Sequence, residues 1–162
     1  METLEAIFNR RSIRHYIPGK ITPADLETIL RAGMYAPSAV NKQPWHFVVI
    51  RERDTMQRIM EFHPYASMLK QADTAVLVCW DANLQHDEGY GPVDCSAATE
   101  NMLLAAHSLG IGSVWVGIYP RQPRMDAMRE LFSLPSNIHA FSLISLGYPG
   151  EKKSMPARFN PE

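Results

Sequence analysis

The chain has 162 residues, 46% apolar and 20% charged, an ordinary globular composition with room for one domain and a real core. A net charge of -1 argues against a nucleic-acid or membrane-surface protein, because such proteins carry a basic excess. The acidic start Met1-Glu2-Thr3-Leu4-Glu5 has no apolar leader, and no apolar run approaches about 20 residues, so a soluble, cytoplasmic protein is expected.

Leu4, Ile7 and Phe8 have helical spacing, which predicts a short amphipathic helix over 3–10. A second helix starts at Thr22 as N-cap with Pro23 at its first position. It turns Leu26, Ile29, Leu30 and Met34 to one face and stops at Pro37. The run "HFVVI" (46–50) predicts a buried strand, residues 54–62 a helix, and "TAVLVCW" (74–80) a second buried strand. Residues 81–94 are polar and carry Gly and Pro, which predicts a loop. The most apolar helix follows over 94–109, expected to be central and buried, with Gly110 as its C-terminal cap. Strand 113–118, helix 124–132 and strand 140–147 complete the order, and a polar tail begins at about Tyr148. Two helices precede any strand, which favours an α+β layered domain over a doubly wound nucleotide fold.

Three stretches carry chemistry. "RRSIRHY" concentrates Arg10, Arg11, Ser12 and Arg14. Guanidinium groups grip phosphate with paired, charge-assisted hydrogen bonds, although three arginines also fit a solvated turn. "YAPSAVNKQPWHF" (35–47) is a proline-bounded loop with Ser38, Asn41 and Gln43, whose donors and acceptors suit the edge of a polar heteroaromatic ring. The plainer reading makes Asn41 and Gln43 turn residues and Trp45 a core anchor. In "LGIGSVWVG" (109–117), Gly110 and Gly112 follow a helix and precede a strand, the wrong context for a dinucleotide fingerprint. Gly117, at the strand end, permits close approach of a ligand to backbone. The six histidines have no metal-ligand spacing, and Cys79 and Cys95 form neither a metal nor a disulfide framework. No self-sufficient catalytic set of side chains is visible, so a cofactor is expected to carry any chemistry.

Together these stretches resemble the nitroreductase family of FMN-dependent oxidoreductases in its short form, over essentially the whole chain. The resemblance rests on "RRSIRHY", "APSAVNKQPWHF", "AATENMLLAAHSLGIGSVWVG" and "LGYPGEKKSMPARF", in that order. It implies an α+β fold with a mostly antiparallel central sheet flanked by helices, a single domain and a homodimer. It assigns FMN to the Arg10–Arg14 segment, with Arg10 and Ser12 on phosphate and ribityl, Arg11 beside them, and Arg14 facing the pyrimidine edge. Pro37, Ser38, Asn41 and Gln43 reach the cofactor from the other subunit. Val116, Gly117 and Ile118 pass the ring near N5, and Arg158 is the late phosphate-binding arginine, with Lys152 and Lys153 as helpers. Some longer members have a glutamate where this chain has Gly117, so a carboxylate role there is lost. The implied reaction is ping-pong: NADH or NADPH reduces the flavin, and an acceptor such as a nitroaromatic or quinone then oxidises it. Tyr65, Trp115 and Tyr119 are candidates for the substrate-facing wall. Alternatives are an FMN sensor or store, and a flavin-fragmenting or dehalogenating member of the same superfamily.

Overall fold

A computed structural model describes all 162 residues. Helix α1 (Thr3–Asn9) leads through a two-residue strand β1 (Tyr16–Ile17) to α2 (Pro23–Met34) and β2 (Trp45–Ile50). Then come α3 (Arg53–Phe62), β3 (Thr74–Asp81), α4 (Tyr90–Ser108), β4 (Gly112–Gly117), α5 (Gln122–Phe132) and β5 (Ile138–Pro149). All strand pairs are antiparallel. β5 is the hub: β3 and β4 flank it, β2 pairs with β3, and β1 pairs with its far end at Tyr148 and Pro149.

The buried strands are apolar on both faces because helices cover both. Along β3, Ala75, Leu77 and Cys79 meet Met56 and Ile59 of α3 and Met128 of α5. Val76, Val78 and Trp80 meet Ile29 of α2 and Cys95, Ala98, Met102 and Leu103 of α4. Each fully buried side chain of this size contributes about 1.5–3 kcal/mol. In β5 the alternation switches phase. Val78 pairs with Ser142 and Cys79 with Ala140, so Phe141 is the extra residue of a β-bulge. Ala140 and Leu143, three apart, therefore face the same side, and Phe141 and Ile144 the other.

The predicted order of elements matches the fold, with informative exceptions. Thr22 caps α2, its hydroxyl accepting the Asp25 N–H at 3.1 Å. Gly110, at φ 74, closes α4 in a Schellman motif, with Ile111 N–H on Ala106 C=O at 2.8 Å and Gly110 N–H on His107 C=O at 3.0 Å. α4 starts four residues earlier than expected, after Gly89 at φ 95, because Gly91 and Pro92 sit in its first turn, where neither breaks a helix. β5 runs on to Pro149, so the tail begins at Gly150. β1 is too short to show a periodicity. The face of α1 expected to turn inward is exposed: Phe8 is 57% accessible, and Leu4 and Ile7 are exposed too, while Ala6 is the helix's buried residue. Trp45 is the core anchor expected of it. Cys79 and Cys95 are both buried and unpaired, and burial pushes the Cys79 thiol up to about 12 and raises that of Cys95, so neither is a nucleophile at neutral pH. No helix is long and apolar enough to cross a membrane.

Gly91 marks the tightest contact between α4 and the sheet. A Cβ there would lie 2.2 Å from Cδ1 of Trp80, whose ring is stacked on His139 at 4.8 Å and packed edge-on against Tyr119. With little room for the indole to retreat, Gly91→Ala is expected to cost about 1–3 kcal/mol and lower Tm by roughly 3–10 °C. An unchanged melting curve would show that the Trp80 ring is free to move.

Candidate cofactor site

The site is built around the extended segment that leaves α1. Arg10 departs at φ -56 and ψ 130. Ser12 bridges Ser113 in parallel, and Ile13 N–H donates to Ser113 C=O at 2.9 Å. The segment thus covers the start of β4. Buried Tyr16 secures its far end, its hydroxyl directed at Ile13 C=O at 2.9 Å and Ser145 C=O at 3.2 Å. From the other side the tail clamps it. Glu151 Oε1 accepts the backbone N–H groups of Arg14 at 2.6 Å and His15 at 3.2 Å, and Lys153 Nζ donates to Ser12 C=O at 2.6 Å.

Ser12 alone in this segment makes a strand bridge, and Arg11 and Ile13 line a cleft that Arg10, Ser12 and Arg14 do not. Their environments differ accordingly. The Arg10 side chain is mostly buried, with Nε 3.3 Å from Glu100 Oε1 but outside hydrogen-bond alignment. The Arg14 guanidinium is exposed and has no protein partner. Arg11 is a strut: Nε, Nη1 and Nη2 donate to the carbonyls of Ser154 at 3.0 Å, Arg10 at 2.6 Å and Phe8 at 2.8 Å. It lines a cleft of about 360 Å³ with Ile13, His107, Ser113, Lys152 and Lys153. Of the sequence candidates for the cofactor, Arg11 and the helpers Lys152 and Lys153 border that cleft, and Arg10, Ser12 and Arg14 do not. His107 there is held neutral, its pKa lowered by burial and then by Arg10 and Arg11.

Glu151 was not among the sequence candidates. Its pKa is lowered, chiefly by the Arg14 N–H, so its contribution to stability is complete above the ordinary value near 4.5 and is lost as pH falls through its folded value. Glu151→Gln is therefore expected to flatten the loss of stability below pH 4.5 while weakening the segment at neutral pH. Urea midpoints measured between pH 3 and 7 check this. Parallel profiles for the two proteins would remove Glu151 from the clamp.

The 37–43 loop is wound unusually tightly. Val40, Asn41 and Gln43 have φ of 52°, 55° and 49°, a left-handed conformation that a β-branched residue rarely adopts. Ser38 Oγ accepts Gln43 N–H at 2.9 Å, and buried Asp94 on α4 accepts Ala39 N–H at 3.0 Å. Pro37, Asn41 and Gln43 are exposed, and the loop's hydrogen bonds join it to α4, not to the arginine segment of its own chain.

At the end of β4, Val116 is buried, while a Cβ on Gly117 would meet nothing within 4 Å. The Gly117 carbonyl takes two hydrogen bonds at 2.9 Å, from His63 Nε2 and Arg124 Nη1. Tyr65 N–H donates to His63 Nδ1 at 3.2 Å, and Arg124 lies over the Tyr65 ring at 5.5 Å. Arg158 is exposed in the tail. A model described as the nitroreductase family matches residues 7–63 and 60–148. The chain belongs to the nitroreductase family.

Known nitroreductase-family proteins match it along almost its whole length. A protein of Archaeoglobus fulgidus, provisionally named an NADH dehydrogenase/NAD(P)H nitroreductase, is 50% identical over 165 residues, 99% of this chain and 95% of its own. The crystal structure of a protein from Bacteroides thetaiotaomicron with the same provisional name superposes with a TM-score of 0.93 at 39% identity, covering 98% of this chain and 93% of that one. A provisionally named nitroreductase from Desulfovibrio desulfuricans, solved in complex with FMN, superposes with a TM-score of 0.86 at 32% identity over 98% and 92% of the two chains. The residues that sequence reasoning missed in this nitroreductase are Glu151, Asp94, His63 and Arg124. Each acts through a backbone group, 54 to 137 residues away for the first three and seven for Arg124, and no local motif announces such a contact.

Proposed function

We propose that the chain is an FMN-dependent NAD(P)H oxidoreductase that passes hydride equivalents to a small acceptor such as a nitroaromatic or a quinone. The observation that carries this reading is the exposed, unpaired Arg14 guanidinium on a segment pinned by Ser113, Tyr16 and Glu151, close to Arg10 and Ser12. The donor set fits the cofactor. Arg10 Nε is buried without an aligned partner, Arg14 has no protein partner, and the missing Cβ of Gly117 leaves clear space at the strand end.

FMN supplies the hydride relay between NADH or NADPH and the acceptor, and the chain binds and orients it. Arg10, Ser12 and Arg158 hold its phosphate end, the arginines by charge-assisted hydrogen bonds. Arg14 faces the pyrimidine edge, where a fixed cation stabilises negative charge gained on reduction. Gly117 admits the ring against the edge of β4. Pro37, Ser38, Asn41 and Gln43 complete the site of the other subunit in a homodimer, a role that fits their exposure and the separate anchoring of their loop on Asp94. Exposed Leu4 and Phe8 supply apolar surface for that interface, as does Phe159 at 89% accessibility. Two buried thiols without a disulfide suit the reducing cytoplasm.

The test is a visible spectrum of the purified protein, followed by anaerobic addition of NADH or NADPH. Bleaching of flavin bands is expected. A bound flavin that stays oxidised would reduce the protein to an FMN carrier, and failure to take up FMN would end the flavin reading.

A further inference from the structure

Glycine at position 117 has an advantage and a cost. Without a Cβ the end of β4 is clear of side chain, but glycine is also the least ordered residue a strand can end on. β4 is an edge strand there. Ser113 turns its carbonyl away from β5 to meet Ile13 N–H, and Gly117, four residues along the same regular ladder, turns the same way. The arginine segment covers that edge at Ser113 but makes no strand pairing as far along as Gly117.

His63 and Arg124 fill this gap from two different elements. His63 follows α3 and is 2% accessible; Arg124 lies in the first turn of α5. Their donors occupy both lone pairs of the Gly117 carbonyl at 2.9 Å each. Tyr65 N–H donates to Nδ1 of His63, which requires Nδ1 to be bare and Nε2 to carry the proton, so the neutral ring is a donor to Gly117. Burial, the largest influence on this imidazole, keeps it neutral, and Arg124 acts in the same direction. Arg124 is itself braced against the Tyr65 ring, and no carboxylate pairs with it.

We propose, on the reading of the site as an FMN site, that His63 and Arg124 are positioning residues that clamp the Gly117 carbonyl and so fix the edge of β4 against the flavin. With both lone pairs of this carbonyl taken, the strand end offers a ligand only N–H donors. It therefore selects a ring edge that presents acceptor atoms. The clamp restores the order that glycine removes and leaves the clearance that glycine provides.

The experiment compares wild type with His63→Leu, His63→Gln, Arg124→Met and Arg124→Lys. Each is loaded with FMN, and its FMN dissociation constant and the midpoint potential of the bound flavin are measured. His63→Leu and Arg124→Met remove a donor. Each is expected to raise the dissociation constant about tenfold and to shift the potential away from wild type, as for loss of one hydrogen bond in a shielded site. His63→Gln and Arg124→Lys keep an N–H at the same reach and are expected to recover most of both losses, which a purely structural role would not predict. Should His63→Leu fail to fold, the half-buried Arg124 pair carries the test alone. Folded Leu and Met variants with wild-type affinity and potential would overturn the clamp. Wild-type protein that takes up no FMN would remove the flavin reading and the clamp's purpose together.

Discussion

Arg14→Ala is expected to raise the FMN dissociation constant by about 10- to 100-fold, because hydrogen bonds to charged groups are each worth about 1.5–3 kcal/mol. The same substitution should leave Tm nearly unchanged. The guanidinium is exposed and bonds to nothing in the chain; it is the backbone N–H of Arg14, which survives the change, that Glu151 holds. Surface substitutions of this kind usually stay within about 0.5 kcal/mol of stability. Arg11→Ala makes the contrast. Its three nitrogens tie the end of α1 and the tail together, so its loss should lower stability first and flavin affinity only as a consequence. FMN titration and thermal melts of both variants check the pair. Equal FMN affinity in Arg14→Ala and wild type would remove Arg14 from the pyrimidine edge.

This contrast also shows how far the sequence can be read. Arg10, Arg11 and Arg14 look alike in "RRSIRHY", and composition cannot say which guanidinium is free. Their contacts divide them, and the path of the segment is held by Ser113, Tyr16 and Glu151, which lie up to 137 residues away. Elements whose signals are local were legible: the Thr22 cap with Pro23, the Gly110 stop, and the apolar strands. The start of α4 was not, since Gly91 and Pro92 read as loop residues although a first helical turn tolerates them. Nor was the winding of residues 40–43, because valine seldom adopts positive φ and nothing in its neighbours' chemistry demands it. The clamp on Gly117 joins residues 54 and 7 positions away through a backbone carbonyl. A sequence records side chains, and this contact depends on where a main-chain oxygen points.

The periodicity of α1 was legible, but its direction was not. Leu4, Ile7 and Phe8 do form one face, yet in a single chain that face meets solvent, whereas Ala6 meets the protein. An amphipathic helix with its apolar stripe outward is stable when a second surface covers it. The double variant Leu4→Asp, Phe8→Asp is expected to convert the proposed homodimer into a folded monomer. It leaves the buried Ala6 contact intact and places two unpaired carboxylates where the partner's apolar surface would desolvate them, at a cost of several kcal/mol. Because Pro37, Ser38, Asn41 and Gln43 are assigned to the partner's site, that monomer should also lose its flavin, a larger effect than any single donor removed from Arg14. Sedimentation velocity and the flavin-to-protein absorbance ratio report the two consequences separately. A monomer that retains one FMN per chain would show that the 37–43 loop does not complete the site in trans. A dimer that survives both substitutions would take α1 out of the interface and return its apolar face to some other cover.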